Sequence, residues 1–260
     1  MHAPELFGVY PFSVPLVVDD SDIEDHPQLG SALCLPSLLR IPSLRKLTIR
    51  DTHLGDYRWL TTPAVCCLEV LDLGGCSYET EDINGLFIER IISSVGSTVG
   101  EGFISTAIID TAFAQPSSTP LRQLRKLHIT PFFPIDSVVD TITNLCGSPI
   151  EALSVQCFED DVLDICSAIE HFLSLRVERG PNFYINLIQI EVSVVSSGFL
   201  RGDAQGCAEA IMRLQELCID LHLDTIICDL TATLIHLAEP RMHRLNGSAC
   251  MKDSGRGVAC

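Results

Sequence analysis

Leucine and isoleucine recur along the chain at one fixed spacing. The segment LEVLDLGGC places Leu68, Leu71 and Leu73 in the order L-x-x-L-x-L, with Cys76 three positions later. The central part of this unit alternates apolar and other residues, which is typical of a short strand with one buried face. The unit therefore predicts a strand whose leucines point into a core while the residues between them face the other way.

The same unit returns five more times. The interval between Leu68 and Leu124 is 56 residues, twice 28, so a degenerate unit is expected near residues 99–109. A period of about 20–29 residues with this pattern is the signature of leucine-rich repeats. The apolar positions of the five further units are Leu44, Leu47 and Ile49; Leu124, Leu127 and Ile129; Ile150, Leu153 and Val155; Ile185, Ile188 and Ile190; and Leu214, Leu217 and Ile219.

Helical periodicity occupies the segments between these strands, where apolar residues recur every three or four positions. Asp136 or Ser137 is expected to cap one helix, and residues 224–240 are expected to form a last helix. Strand–helix alternation predicts an α/β fold, a leucine-rich-repeat solenoid of about six to seven irregular repeats with a parallel sheet on its concave face. The alternative is a globular α/β domain with coincidental leucine spacing. The predicted inward helix residues are Leu86, Phe87, Ile91 and Val95; Val138, Val139, Ile142 and Leu145; Val162, Ile165, Ile169 and Phe172; and Ala208, Ile211 and Met212.

The predicted organisation has three parts. Residues 1–34 form an irregular acidic segment, residues 35–238 form the solenoid, and residues 239–260 form a polar, disordered tail. The acidic run from Asp19 to His26 lacks the central glycine of a calcium loop and is interpreted as a solvated loop.

Charge and composition narrow the classes of partner. The net charge is −17, which disfavours nucleic acid and anionic membrane as partners. The sequence shows neither a secretory signal nor an apolar stretch long enough to span a bilayer. The 12 cysteines are therefore expected to be reduced thiols, and the chain is expected to be cytoplasmic or nuclear, not secreted.

Motifs of catalysis and metal binding are missing from the sequence. It contains no nucleophile elbow, phosphate-binding loop or dinucleotide-binding glycine motif. Cys218 and His222 are four residues apart, but the next Cys and His residues do not complete a zinc site. We therefore predict a protein that is not an enzyme and has no catalytic residues, cofactor or metal. A hydrolase built on Cys or His is the less favoured alternative.

The concave face is the predicted binding surface, because residues that alternate with the inward leucines point away from the core. Its early part is basic and its late part is acidic, the latter through Glu191, Glu216 and Asp220. Such a face suits an extended protein partner, although it could also be solvated and bind nothing. The predicted partner-binding residues are Lys46, Thr48, Arg50, Asp72, Lys126, His128, Ser154, Gln156, Gln189 and Glu191.

The segments IPSLRKLTIRDTHLGD, LEVLDLGGC and LRQLRKLHIT resemble the leucine-rich-repeat region of F-box proteins, most of all the divergent set in mushroom-forming fungi. The resemblance covers about residues 35–225 and implies recruitment of a substrate protein for a cullin-type ubiquitin ligase. Residues 35–41 (LPSLLRI) resemble the opening of an F-box, but Leu44 already begins the first repeat and leaves no room for three helices. A Skp-type adaptor is thus a partner only if a cryptic F-box exists. Otherwise the chain is a stand-alone scaffold or regulatory repeat protein.

Overall fold

Seven parallel strands form one open sheet in the computed structural model, which describes residues 35–50, 61–75, 81–195 and 204–229. Each strand pairs with the next one along the chain, so the strand order in the sheet equals the order in the sequence. This sequential order arises because each connection is short and returns the chain beside the strand that it has just left. The strands are β1 (Lys46–Arg50), β2 (Val70–Gly75), β3 (Glu101–Ile104), β4 (Lys126–Ile129), β5 (Ala152–Phe158), β6 (Gln189–Val195) and β7 (Asp224–Asp229).

Four α-helices lie between the strands of the described part of the chain. The connection from β3 to β4 has only a 3₁₀ turn, Thr111–Ala114, in place of a helix. Further 3₁₀ turns are Leu35–Arg40, Gly96–Thr98, Ile135–Ser137 and Glu159–Asp161. The helices are α1 (Glu81–Val95), α2 (Val138–Asn144), α3 (Val162–Arg179) and α4 (Ala204–Asp220).

A single apolar core lies between the sheet and the helices. Alternate strand residues such as Leu47, Leu71 and Leu153 are buried in one cluster with helix residues such as Ile91 and Phe172. Since every second side chain of a strand faces the same way, these buried residues mark the face of the sheet that the described helices cover. The alternation in the sequence thus predicts correctly the core residues of β1, β2, β4 and β5.

Four of the six predicted units are confirmed in full, and the expected degenerate unit is present. The three apolar positions of the units that begin at Leu44, Leu68, Leu124 and Ile150 are all buried. The degenerate unit forms β3, with Gly102 at a position where the other units carry leucine. Beside Gly102 lies an apolar cavity of about 20 Å³, too small for more than one water.

The unit that begins at Ile185 was predicted in the wrong register. Ile185 and Ile188 are 65% and 58% exposed, whereas Leu187, Ile190 and Val192 are buried. The segment INLIQIEV offers apolar residues in both registers, and the spacing alone does not distinguish them. Burial of a complete L-x-x-I-x-V set against the helices favours the later register.

The last predicted unit is also wrong. Leu214, Leu217 and Ile219 lie on α4, because a spacing of three residues fits a helix as well as the start of a repeat. The strand is β7, in the segment where the sequence predicted a closing helix. The part of that predicted helix beyond residue 229 lies outside the described residues.

The predicted helix faces are confirmed for α3 and for the described residues of α1, and they are partly wrong for α2 and α4. In α4 Ala208 and Met212 are exposed, and the buried stripe is Ala210, Leu214 and Cys218. Ser137 stands at the N-cap position of α2, but its side chain makes no capping hydrogen bond. Val139 is half-buried and Ile211 is half-buried, while the predicted inward residues Ile91, Val95, Val138, Ile142, Leu145, Val162, Ile165, Ile169 and Phe172 are buried.

Several predictions fall outside the described residues. These are the acidic segment 1–34, the tail 239–260, Cys76, and the side chains of Leu86 and Phe87. Among the residues that the structure describes, no helix has the length and hydropathy needed to cross a bilayer.

Candidate functional site

The face of the sheet opposite the helices is the candidate site, and we call it the open face. It consists of the strand residues that alternate with the buried leucines. The parallel register arranges these residues in rows that run across the strands. The first row is Lys46, Val70, Glu101, Lys126, Ala152, Gln189 and Asp224, and the middle row is Thr48, Asp72, Phe103, His128, Ser154, Glu191 and Ile226.

Nine of the ten predicted binding residues lie on the open face, and the exception is Arg50. Eight of the nine belong to the two rows above, and Gln156 lies in the next row along β5. Lys46 and Lys126 are exposed, whereas Asp72 and Ser154 are buried between neighbouring side chains of the face. Arg50 ends β1 and pairs with Gly75 across an irregularity in the ladder. The side chain of Arg50 lies outside the described residues.

A stacked aromatic pair stands at the centre of the open face. The rings of Phe103 and His128 have centroids 4.0 Å apart and planes inclined by only 7°. The imidazole Nε2 of His128 lies 2.9 Å from Oε1 of Glu101, on the strand beside it. Together these two contacts restrict the orientation of the imidazole.

Glu101 and Phe103 are site residues that the sequence analysis missed. They lie on β3, whose repeat has Gly102 in place of leucine and therefore does not match the unit. The interval of 56 residues predicted a strand here, but not its register. Aligning Val99 with the first leucine of the other units would have placed Glu101 and Phe103 on the face.

Beside this pair, the open face is closely packed around Gly74 of β2. The amide of Gly74 donates to Oδ1 of Asp72 at 3.0 Å, and Oγ1 of Thr130 donates to the Gly74 carbonyl oxygen at 3.1 Å. A Cβ at Gly74 would lie 2.5 Å from Cγ2 of Thr130. A side chain at this point would have to displace Thr130, and none rises here from β2.

The charge gradient predicted from the sequence is only partly correct. Glu101 lies among the early basic residues and binds His128, so that part of the face is of mixed charge. Glu216 and Asp220 lie on α4 and not on the sheet. The late part is acidic through Glu191 and also through Asp224, which the sequence analysis missed.

Aromatic side chains lie where β4 and β5 end. Phe158 is the last residue of β5, and its ring meets that of Phe132 edge to face at a centroid distance of 5.6 Å. Phe132 is 68% exposed, an unusual position for a large apolar ring. The open face therefore passes from polar side chains to an aromatic edge along β5.

On the helix side, a shallow groove of about 620 Å³ lies between α3 and the 3₁₀ turn that precedes α2. Asp136, Asp164 and His171 are among its lining residues. Among the residues that the structure describes, no three His, Cys, Asp or Glu side chains are positioned to hold a metal ion.

The described cysteines differ sharply in exposure. Burial raises the pKa of Cys157 to about 12 and that of Cys166 to about 11. Burial also raises the pKa of Cys218, whereas the thiol of Cys67 is exposed. Because the thiolate is the nucleophile, the three buried thiols are held in their unreactive form.

We predict that alkylation of the folded protein at pH 8 modifies Cys67 and leaves Cys157 and Cys166 unmodified. At pH 8 only roughly one Cys157 in ten thousand is a thiolate, and this fraction rises tenfold per pH unit until the pKa of about 12 is reached. Site-resolved mass spectrometry after iodoacetamide treatment measures each rate. A Cys157 or Cys166 that reacts as fast as Cys67 would contradict the prediction and favour a cysteine-dependent enzyme.

The fold and the open face together define an open α/β protein whose single parallel sheet carries helices on one side and a polar surface on the other. Comparison with known proteins adds no relative: no family model, no curated protein sequence and no solved structure matches the chain.

Proposed function

We propose that the chain is a leucine-rich-repeat solenoid that acts as a protein-recognition module and binds a protein partner on the open face. The main observation in support of this proposal is that the open face is a continuous sheet surface of seven strands. No described helix covers it. Solenoids bind extended surfaces in this way, because each repeat adds the side chains of one strand to a common face. No enzymatic step, cofactor or metal is part of this proposal.

The resemblance to F-box proteins supports a finer proposal, in which the bound protein is a substrate for a ubiquitin ligase. Residues 35–40 form a 3₁₀ turn, and β1 begins at Lys46, so residues 35–50 do not themselves supply the helices of an F-box. A Skp-type adaptor is accordingly a partner only through another part of the protein. The alternative is a stand-alone scaffold or regulatory protein without a link to ubiquitin ligases.

Matched tryptophan substitutions test the recognition surface. Ala152→Trp and Gln156→Trp place bulk in the middle of the open face, whereas Ala208→Trp and Gln205→Trp place the same bulk on exposed positions of α4. We expect the first double variant to lose partners that the second retains, because bulk at the centre of an interface excludes the partner. Affinity capture of the tagged protein from extract of a mushroom-forming fungus, with quantitative mass spectrometry, measures this difference.

The same capture separates the finer proposals. Recovery of a Skp-type adaptor and a cullin supports the ubiquitin-ligase assignment, and recovery of other proteins without them supports a stand-alone module. Both double variants must keep the thermal unfolding midpoint of the parent protein for the comparison to count. Equal retention of every partner by both variants would refute binding at the open face.

A further inference from the structure

Charge on the open face is distributed unevenly between its two ends. On the described residues of β1 to β4, Lys46 and Lys126 are offset by Asp72 and Glu101. The described open-face residues of β5 are uncharged, and those of β6 and β7 include Glu191 and Asp224 but no basic residue. The end of the face formed by β6 and β7 is therefore negative.

An exposed apolar side chain lies between these two carboxylates. Ile226 is 43% exposed, pairs in register with Glu191, and follows Asp224 by two residues on the same face of β7. Residues in register on adjacent strands are about 5 Å apart, and those two apart on one strand are about 7 Å apart. Glu191 accepts a hydrogen bond from Ser193 at 3.2 Å, which leaves its second oxygen to accept from a partner.

Arginine and lysine side chains match this arrangement. Each has an aliphatic stem that covers apolar surface and a cationic head that pairs with carboxylates. A stem over Ile226 would bring its head within reach of Glu191 or Asp224. The net charge of −17 adds a long-range attraction for a basic partner.

We propose that the β6–β7 end of the open face binds an extended basic segment of the partner protein, with an arginine or lysine side chain seated on Ile226 between Glu191 and Asp224. This inference rests on the proposed recognition function and specifies the chemistry of the partner. In an extended segment every second side chain faces the sheet, so basic residues at alternate positions would meet the face together.

A synthetic peptide in which arginine alternates with serine tests the proposal. Its binding to the full chain is measured by fluorescence anisotropy at low ionic strength, beside a peptide with glutamine in place of each arginine. We expect Glu191→Lys with Asp224→Lys to weaken binding of the arginine peptide about tenfold or more, and rising salt to weaken it further. The glutamine peptide should bind at least about tenfold more weakly than the arginine peptide.

The matched control is Asp140→Lys with Glu178→Lys, on exposed positions of α2 and α3, which changes the net charge by the same amount. It should alter binding less than about twofold. If this control weakens binding of the arginine peptide as much as Glu191→Lys with Asp224→Lys does, the attraction depends on net charge alone, and the proposal is overturned.

Two further outcomes would also overturn it. If the peptide binds only after Arg241, Arg244, Lys252 and Arg256 are replaced by serine, the chain's own C-terminal residues occupy the face instead of a partner. If the peptide does not bind while captured partners still depend on Ala152 and Gln156, the basic-segment inference fails and the recognition function stands. If the peptide does not bind and the captured partners do not depend on Ala152 and Gln156, both the basic-segment inference and the recognition function are refuted.

Discussion

Truncation of Leu153 to alanine is expected to lower the free energy of unfolding by about 2–5 kcal/mol, whereas truncation of Ile188 should change it by less than about 0.5 kcal/mol. The sequence pattern predicted burial for both side chains. Leu153 is 1% exposed in the middle of the core, in register with Leu127 and Ile190, but Ile188 points into solvent. Only at Leu153 does truncation remove buried apolar surface and leave a cavity.

Chemical denaturation of both variants, followed by circular dichroism, gives the two free energies. Because each substitution shortens a large aliphatic side chain to alanine, differences in strand propensity between the two are small beside the expected effect. A cost above about 2 kcal/mol at Ile188 would show that β6 adopts the register of the sequence prediction, and a cost below about 1 kcal/mol at Leu153 would contradict its burial in the core.

Replacement of Gly147 by alanine is expected to destabilise the protein by about 1–3 kcal/mol. A Cβ at Gly147 would lie 2.4 Å from the carbonyl oxygen of Phe113 and 2.8 Å from the carbonyl carbon of Gln115. Both atoms belong to backbone, which cannot rotate aside as the end of a flexible side chain can. The turn before β5 and the 3₁₀ turn Thr111–Ala114 would have to separate.

Gly100→Ala is the matched control for this substitution. A Cβ there would meet its nearest atoms, the carbonyl oxygens of Glu69 and Gln123, at 3.8 and 3.9 Å, which is ordinary contact. Its expected effect is within about 0.5 kcal/mol of zero. If both alanine variants unfold at the same denaturant concentration, close packing of the turn against the 3₁₀ segment is refuted.

The sequence predicts the architecture well where one register alone satisfies the pattern. Leu44 and Leu127 each stand in a unit whose intervening positions are polar or charged, so no second register buries as much apolar surface. The α/β class, the parallel sheet and the main helices follow from these units and from the helical periodicity between them.

The prediction fails where the apolar positions fit more than one pattern. INLIQIEV fits two strand registers, and LQELCIDLH fits a strand unit and a helix equally well. Packing against neighbouring elements decides between these possibilities, and that information lies in other parts of the chain. In α4 the buried stripe of Ala210, Leu214 and Cys218 selects the helix.

Placement of the predicted binding residues on the open face follows from alternation alone, but their contacts do not. His128 can be assigned to the open face from Leu127 and Ile129 on either side of it. Its stacking on Phe103 and its hydrogen bond to Glu101 depend on the register of β3, which Gly102 conceals in the sequence. Interactions between strands therefore remain invisible until the pairing of every strand is known.

The sequential strand order also bears on how such a chain can change its length. Paired strands start close together in sequence, at Lys46 and Val70 for the first pair and at Ala152 and Gln189 for β5 and β6. A strand–helix unit added within the described sheet would need to match only the two units beside it. Duplication or loss of whole units would lengthen or shorten the open face strand by strand, so the proposed protein partner could change in length without a new fold.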